Sequence, residues 1–86
     1  MYIATIYLED GEILFSKKGN VEDVLLKEIK EVISDKDMLI DIRTVKNSKT
    51  LRIVIEELCS ECGKLDVITE FIEFCWSKKH LIKNYL

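Results

Sequence analysis

The sequence predicts an α+β fold: a four-stranded antiparallel sheet with two helices packed on one face, in the order ββαββα. Three observations lead there. The segment Tyr2 to Leu8 alternates in polarity, Asp10-Gly11 supplies a hairpin turn directly after it, and helical spacing of apolar residues follows Gly19 and again Lys64. At 86 residues the chain is read as one domain, 1–86, made of a first ββα unit over 2–37 and a second over 38–86. A domain of that size buries roughly 60% of the surface its unfolded chain exposes, so a stabilising metal is optional.

In the first segment Tyr2, Ala4, Ile6 and Leu8 share one face, and Ile3, Thr5 and Tyr7 share the other. Asp10-Gly11 between Glu9 and Glu12 predicts a two-residue loop that pairs Leu8 with Ile13 and Ile6 with Phe15. A slip of one residue would move the apolar set to the wrong face, so turn and pattern support each other. Gly19-Asn20 then breaks the chain. Asn20 is positioned to cap a helix whose first turn carries Glu22 and Asp23, favourable at the positive end of the helix dipole. Val21, Val24, Leu25, Ile29, Val32 and Ile33 form its apolar stripe, and the helix is expected to stop near Ser34.

A second strand pair is expected next, with Met38, Ile40 and Ile42 inward on one strand, Leu51, Ile53 and Ile55 inward on the other, and Asn47-Ser48 at the turn. That register sets Arg43 opposite Arg52 on the outward face. Two like charges in that relation are unfavourable unless an anion lies beside them, which makes Arg43 and Arg52 candidate anion-binding residues; screening by Asp41 and Glu56 is the plainer account. Cys59 to Lys64 forms a connection, and the spacing predicts a helix from about Leu65 to the end. Asp23-Val24-Leu25 through Ser34 is echoed by Asp66-Val67-Ile68 through Ser77, as a duplicated ββα unit or convergence on one binary pattern would give.

Composition bounds the function. Hydrophobic residues make up 48% and charged residues 34%, inside the globular range, and no apolar run approaches the roughly 20 residues that span a bilayer. The first residues lack the basic and small-residue signature of a leader peptide, and three cysteines make a poor disulfide framework. A cytoplasmic protein without membrane contact is expected. The net charge of −3 argues against neutralising many phosphates, so nucleic acid is an unlikely partner.

All three cysteines and the only histidine fall in one window: Cys59-Ser-Glu-Cys62, Cys75 and His80. The first reading is a zinc site, the one cofactor the sequence brings into question, because Cys-x2-Cys, twelve residues and Cys-x4-His supply four soft ligands. Cys62-Gly63-Lys64 is similar to the start of the linker in C2H2 zinc fingers, although Asp66 stands where a finger carries an aromatic residue. On a straight helix Cys75 and His80 lie roughly 140° apart, so the helix would have to distort to aim both at one metal. The second reading is thiol redox chemistry: a strand, Cys59-x-x-Cys62 and then a helix resembles thioredoxin and glutaredoxin sites, without the proline those folds place opposite the motif. In the third, the cysteines act as small hydrophobes and no metal is bound.

The expected last helix carries Val67, Phe74, Leu81 and Tyr85 on a second apolar stripe, with Trp76 on the opposite flank. One buried face needs only about 100° of a helix, so this wider surface calls for a cover. With Tyr7 and Leu14 from the outward sheet face, these are the candidate interface residues. The resulting expectation is a non-enzymatic protein-interaction domain, a regulator, inhibitor or assembly factor, with a homodimer among its forms. The alternative is a zinc-containing nucleic-acid-binding module using Arg43, Arg52, Lys46 and Lys49, and after it a Cys-x-x-Cys redox protein. No enzyme is expected, since the chain has no second histidine and no glycine-rich phosphate loop.

Overall fold

The computed structural model describes residues 1–75. They form β1 (Tyr2–Leu8), β2 (Ile13–Gly19), α1 (Glu22–Ile33), α2 (Lys36–Thr44), β3 (Thr50–Leu58) and β4 (Leu65–Phe74). The strands make one antiparallel sheet in the order β2-β1-β3-β4, so the two hairpins join through β1 and β3. The α+β class and the four-stranded antiparallel sheet with two helices are as the sequence predicts. The element order is ββααββ, because residues 38–44 are helical and residues 65–74 are a strand.

The first hairpin keeps its inner register but not its loop. Ile6 pairs with Phe15 as expected, whereas Ile13 lies opposite Tyr7. Leu8 N–H donates to Glu12 O at 2.7 Å and Gly11 N–H to Leu8 O at 2.9 Å, closing a three-residue loop, Glu9 to Gly11. Gly11 occupies the left-handed region at φ 94°, which that loop requires and which a glycine adopts without steric cost. The loop is one residue longer than expected, and a bulge between Ile6 and Tyr7 absorbs the shift.

β2 ends under α1. A Cβ on Gly19 would stand 3.2 Å from Leu25 Cδ2, so the missing side chain lets the helix approach the strand end. The residue flanking the helix is Val21, with no side-chain cap; Asn20 does not take that role. Leu25 and Ile29 are buried, but Val21 and Val24 are about half exposed, so the apolar stripe is narrower than the sequence suggests.

The segment Met38 to Ile42 is the largest local departure. Its alternation fits a strand, but the Asp35 carboxylate accepts from Met38 N–H at 3.1 Å and starts α2. Leu39 and Ile42, three apart, are the pair it buries. Asn47, at φ 54°, turns the chain afterwards. Ser48 is buried there; its hydroxyl accepts from Glu9 N–H at 2.9 Å and donates to Thr50 O at 2.8 Å, while Lys49 N–H donates to the Glu9 carboxylate at 2.9 Å. These bonds tie the α2–β3 turn to the first hairpin loop.

β4 replaces the helix expected after Leu65. Val67, Ile68, Thr69, Phe71, Ile72 and Phe74 are β-branched or aromatic and favour a pleated surface. The strand pairs with β3 along its length, with a bulge at Ile68 that interrupts the alternation and lets the segment imitate a helical period. The echo between the two halves is therefore one of sequence pattern only, since one copy is helical and the other extended.

The core lies between the helices and one sheet face. Ala4, Ile6, Leu51, Ile53 and Ile55 are fully buried there with Leu25 and Ile29 from α1, and Leu39 and Ile42 from α2 join them. Each such side chain contributes about 1.5–3 kcal/mol by leaving water.

Candidate functional site

The face of the sheet turned away from the helices is built of ordered cross-strand rows. One row runs Ile13, Tyr7, Arg52, Ile72; the next Ser16, Thr5, Val54, Glu70; the third Lys18, Ile3, Glu56, Val67. Arg52 lies at the middle. Its guanidinium carbon stands 4.5 Å from the centre of the Tyr7 ring, and its Nη1 donates to Glu70 Oε1 at 3.2 Å. Thr5 and Val54, in the middle row, are nevertheless buried.

On this face the apolar exposure gathers on β4, with Ile13 of β2 also exposed. Leu65, Val67, Ile72 and Phe74 carry between 46% and 59% exposure and share this face, and Ile68 is exposed at the bulge. β4 is also an edge of the sheet. An edge strand presents unpaired backbone groups, and here the bulge together with Asp66, Glu70 and Glu73 limits strand addition. What remains accessible is a side-chain surface.

The expected interface residues distribute as follows. Val67 and Phe74 are exposed on this face, and Tyr7 is half-buried beneath Arg52. Leu14 is the bulge residue of β2 and packs against the core. Trp76, Leu81 and Tyr85 lie outside the described residues. The charge pair Arg43 and Arg52 is not formed: Arg43 is on α2, in the helical layer, while Arg52 projects from the opposite face of the sheet and is balanced by Glu70. Helix formation over Lys36–Thr44 removes the strand on which that pairing depended.

The three candidate metal ligands among the described residues, Cys59, Cys62 and Cys75, are not brought together. Cys59 and Cys62 belong to the β3–β4 loop, whereas Cys75 follows the other end of β4, its N–H donating to Lys49 O at 2.8 Å. A ten-residue strand separates them, roughly 30 Å at about 3.3 Å per residue. The extended β4 is the reason, because the expected helix would have been half as long. Among the described residues no cluster of three or more His, Cys, Asp or Glu is placed to hold an ion. His80 lies outside the described residues. Cys75 is buried and joins the core, and burial pushes its thiol pKa up.

The loop between β3 and β4 has its own chemistry. Cys59 N–H donates to Lys64 O at 2.9 Å and Gly63 N–H to Cys59 O at 2.9 Å, with Gly63 left-handed at φ 70°. In this turn hydrogen bonding from the Cys62 side chain and from the backbone of Cys62 and Glu61 acts on the Cys59 thiol. Those hydrogen bonds hold the Cys59 thiol below its ordinary pKa, against weaker opposition from burial and from Asp66. Cys62 is exposed. The strand–loop–strand setting replaces the strand–loop–helix of the thioredoxin-like reading, so no helix N-terminus acts on either thiol.

The chain matches no protein-family model, no curated protein and no solved structure. No described helix is long and apolar enough to cross a membrane.

Proposed function

We propose that this chain is a small non-enzymatic protein-interaction domain, and that its contact surface is the β4 side of the sheet face turned away from α1 and α2. The observation that carries the reading is the row of exposed apolar side chains on one edge strand, Leu65, Val67 and Ile72. Exposed apolar side chains gathered on one strand, with only Glu70 between Val67 and Ile72 on this face, support a contact surface. Arg52, Tyr7 and Glu70 beside it supply a polar, aromatic rim of the composition that interfaces favour.

A second copy of the chain is the partner proposed, since two equivalent faces can pack about a twofold axis, each covering the other's apolar row. A regulator, inhibitor or assembly factor would use such a face to form its complex. Three free cysteines, an odd number for a disulfide framework, support a reducing compartment for this work. Light scattering with and without Ile72→Glu tests the reading: the wild type is expected to be dimeric, and the carboxylate, buried in the contact, to dissociate it.

A further inference from the structure

The β3–β4 loop presents two sulfurs at the tip of a hairpin, held by a closed turn rather than by side-chain packing. Cys59 N–H donates to Lys64 O and Gly63 N–H to Cys59 O, both at 2.9 Å, a turn that holds Cys59 and Cys62 at one tip. Two thiols three residues apart in one closed turn, Cys62 exposed and Cys59 partly so, supply half the donor set of a soft tetrahedral metal site.

The other half must come from elsewhere. No third ligand joins the pair among the described residues. Asp66, the nearest carboxylate in sequence beyond the loop, is engaged by Lys64 at 3.9 Å. Cys75 is anchored roughly 30 Å away, at the far end of β4. Five further residues span at most about 18 Å even when fully extended, less than that separation.

We propose that one zinc ion is held between two copies of the chain, by Cys59 and Cys62 of each. Four thiolates at about 2.3 Å complete the tetrahedron. Because the two loops are identical, a twofold axis through the metal generates two ligands from each copy. Binding exchanges four S–H protons for one Zn²⁺; the protons pass to solvent, and no oxidant or reductant takes part. The resulting ZnS4 centre carries two negative charges, and Lys64 of each copy lies at the same tip to offset them. This contact uses the hairpin tip and stands independently of the sheet-face reading.

The test is a cobalt titration of the reduced, metal-free full chain. The expected result is the visible absorption of tetrahedral tetrathiolate cobalt, saturating at one ion per two chains and lost when zinc is added. Cys59→Ser and Cys62→Ser abolish the signal, whereas Cys75→Ser and His80→Ala leave it unchanged. In the Ile72→Glu background, which removes the sheet-face contact, zinc doubles the mass in solution and a chelator reverses it. Saturation at one ion per chain, loss of the signal in His80→Ala, or no tetrahedral spectrum would overturn the proposal.

Discussion

Arg52 lies across Tyr7, its guanidinium carbon 4.5 Å from the ring centre, while its Nη1 bonds Glu70 on the neighbouring strand. One cation thus links β1, β3 and β4 on the face turned away from α1 and α2. Both charged side chains are about half exposed, so the ion pair contributes at most about 1 kcal/mol and the ring contact about 0.5–1. Arg52→Ala is expected to lower stability in urea by about 1 kcal/mol, more at low salt than at high. Tyr7→Phe, which keeps the ring, should leave the midpoint within about 0.5 kcal/mol of wild type.

The two faces of the sheet should respond differently to truncation. Ile53 is fully buried against the helices, and Ile53→Ala is expected to cost about 2–5 kcal/mol. Ile72 is half exposed, and Ile72→Ala should cost well under that, about 0.5–1 kcal/mol, in the monomer. Chemical denaturation of the two variants under chelating conditions gives the comparison. Equal losses would place the core on the wrong face.

Asp35 decides whether residues 36–44 are helical. Its carboxylate holds Met38 N–H at 3.1 Å, and Asp35→Ala is expected to cost about 1 kcal/mol, whereas Asp35→Ser or Asp35→Asn should retain most of the stability. Circular dichroism during thermal unfolding reads the effect.

Cys59 and Cys75 should separate by pH in the reduced, metal-free protein. Hydrogen bonds from Cys62 and from backbone N–H groups lower the Cys59 pKa, so its thiolate fraction rises at lower pH than that of an ordinary thiol. Alkylation by iodoacetamide, mapped by mass spectrometry, is expected at Cys59 first as pH rises. Cys75 is buried with a raised pKa and should react only when the protein unfolds. By linkage, the stability that Cys59 contributes is present above the unfolded-state pKa and is lost as pH falls through the lowered folded value.

How much of this was legible depended on whether local signals agreed. In β1, turn chemistry and alternation pointed the same way, and Ile6 paired with Phe15 as expected despite a loop one residue longer. Leu51, Ile53 and Ile55 were likewise legible as one buried face. The failures came where a short apolar run fits both periods. Met38 to Ile42 reads as a strand until Asp35 is recognised as a cap and Leu39 with Ile42 as the buried pair. Leu65 to Phe74 reads as a helix because the Ile68 bulge shifts the alternation midway, although its β-branched and aromatic content favoured a strand. That single reversal moved Cys75 away from Cys59 and Cys62, and it turned a four-ligand window into a two-ligand hairpin tip. The Arg52 balance with Glu70 had no sequence signal, since it depends on which strands are neighbours.

The central claim is that the exposed β4 face joins two copies of the chain. Light scattering of the reduced protein with a chelator present, so that no metal contributes, tests it most directly for the wild type and for Ile72→Glu and Val67→Lys. The account predicts a wild-type dimer and two folded, monomeric variants. A monomeric wild type across the concentration range, or a dimer that both substitutions leave intact, would contradict it.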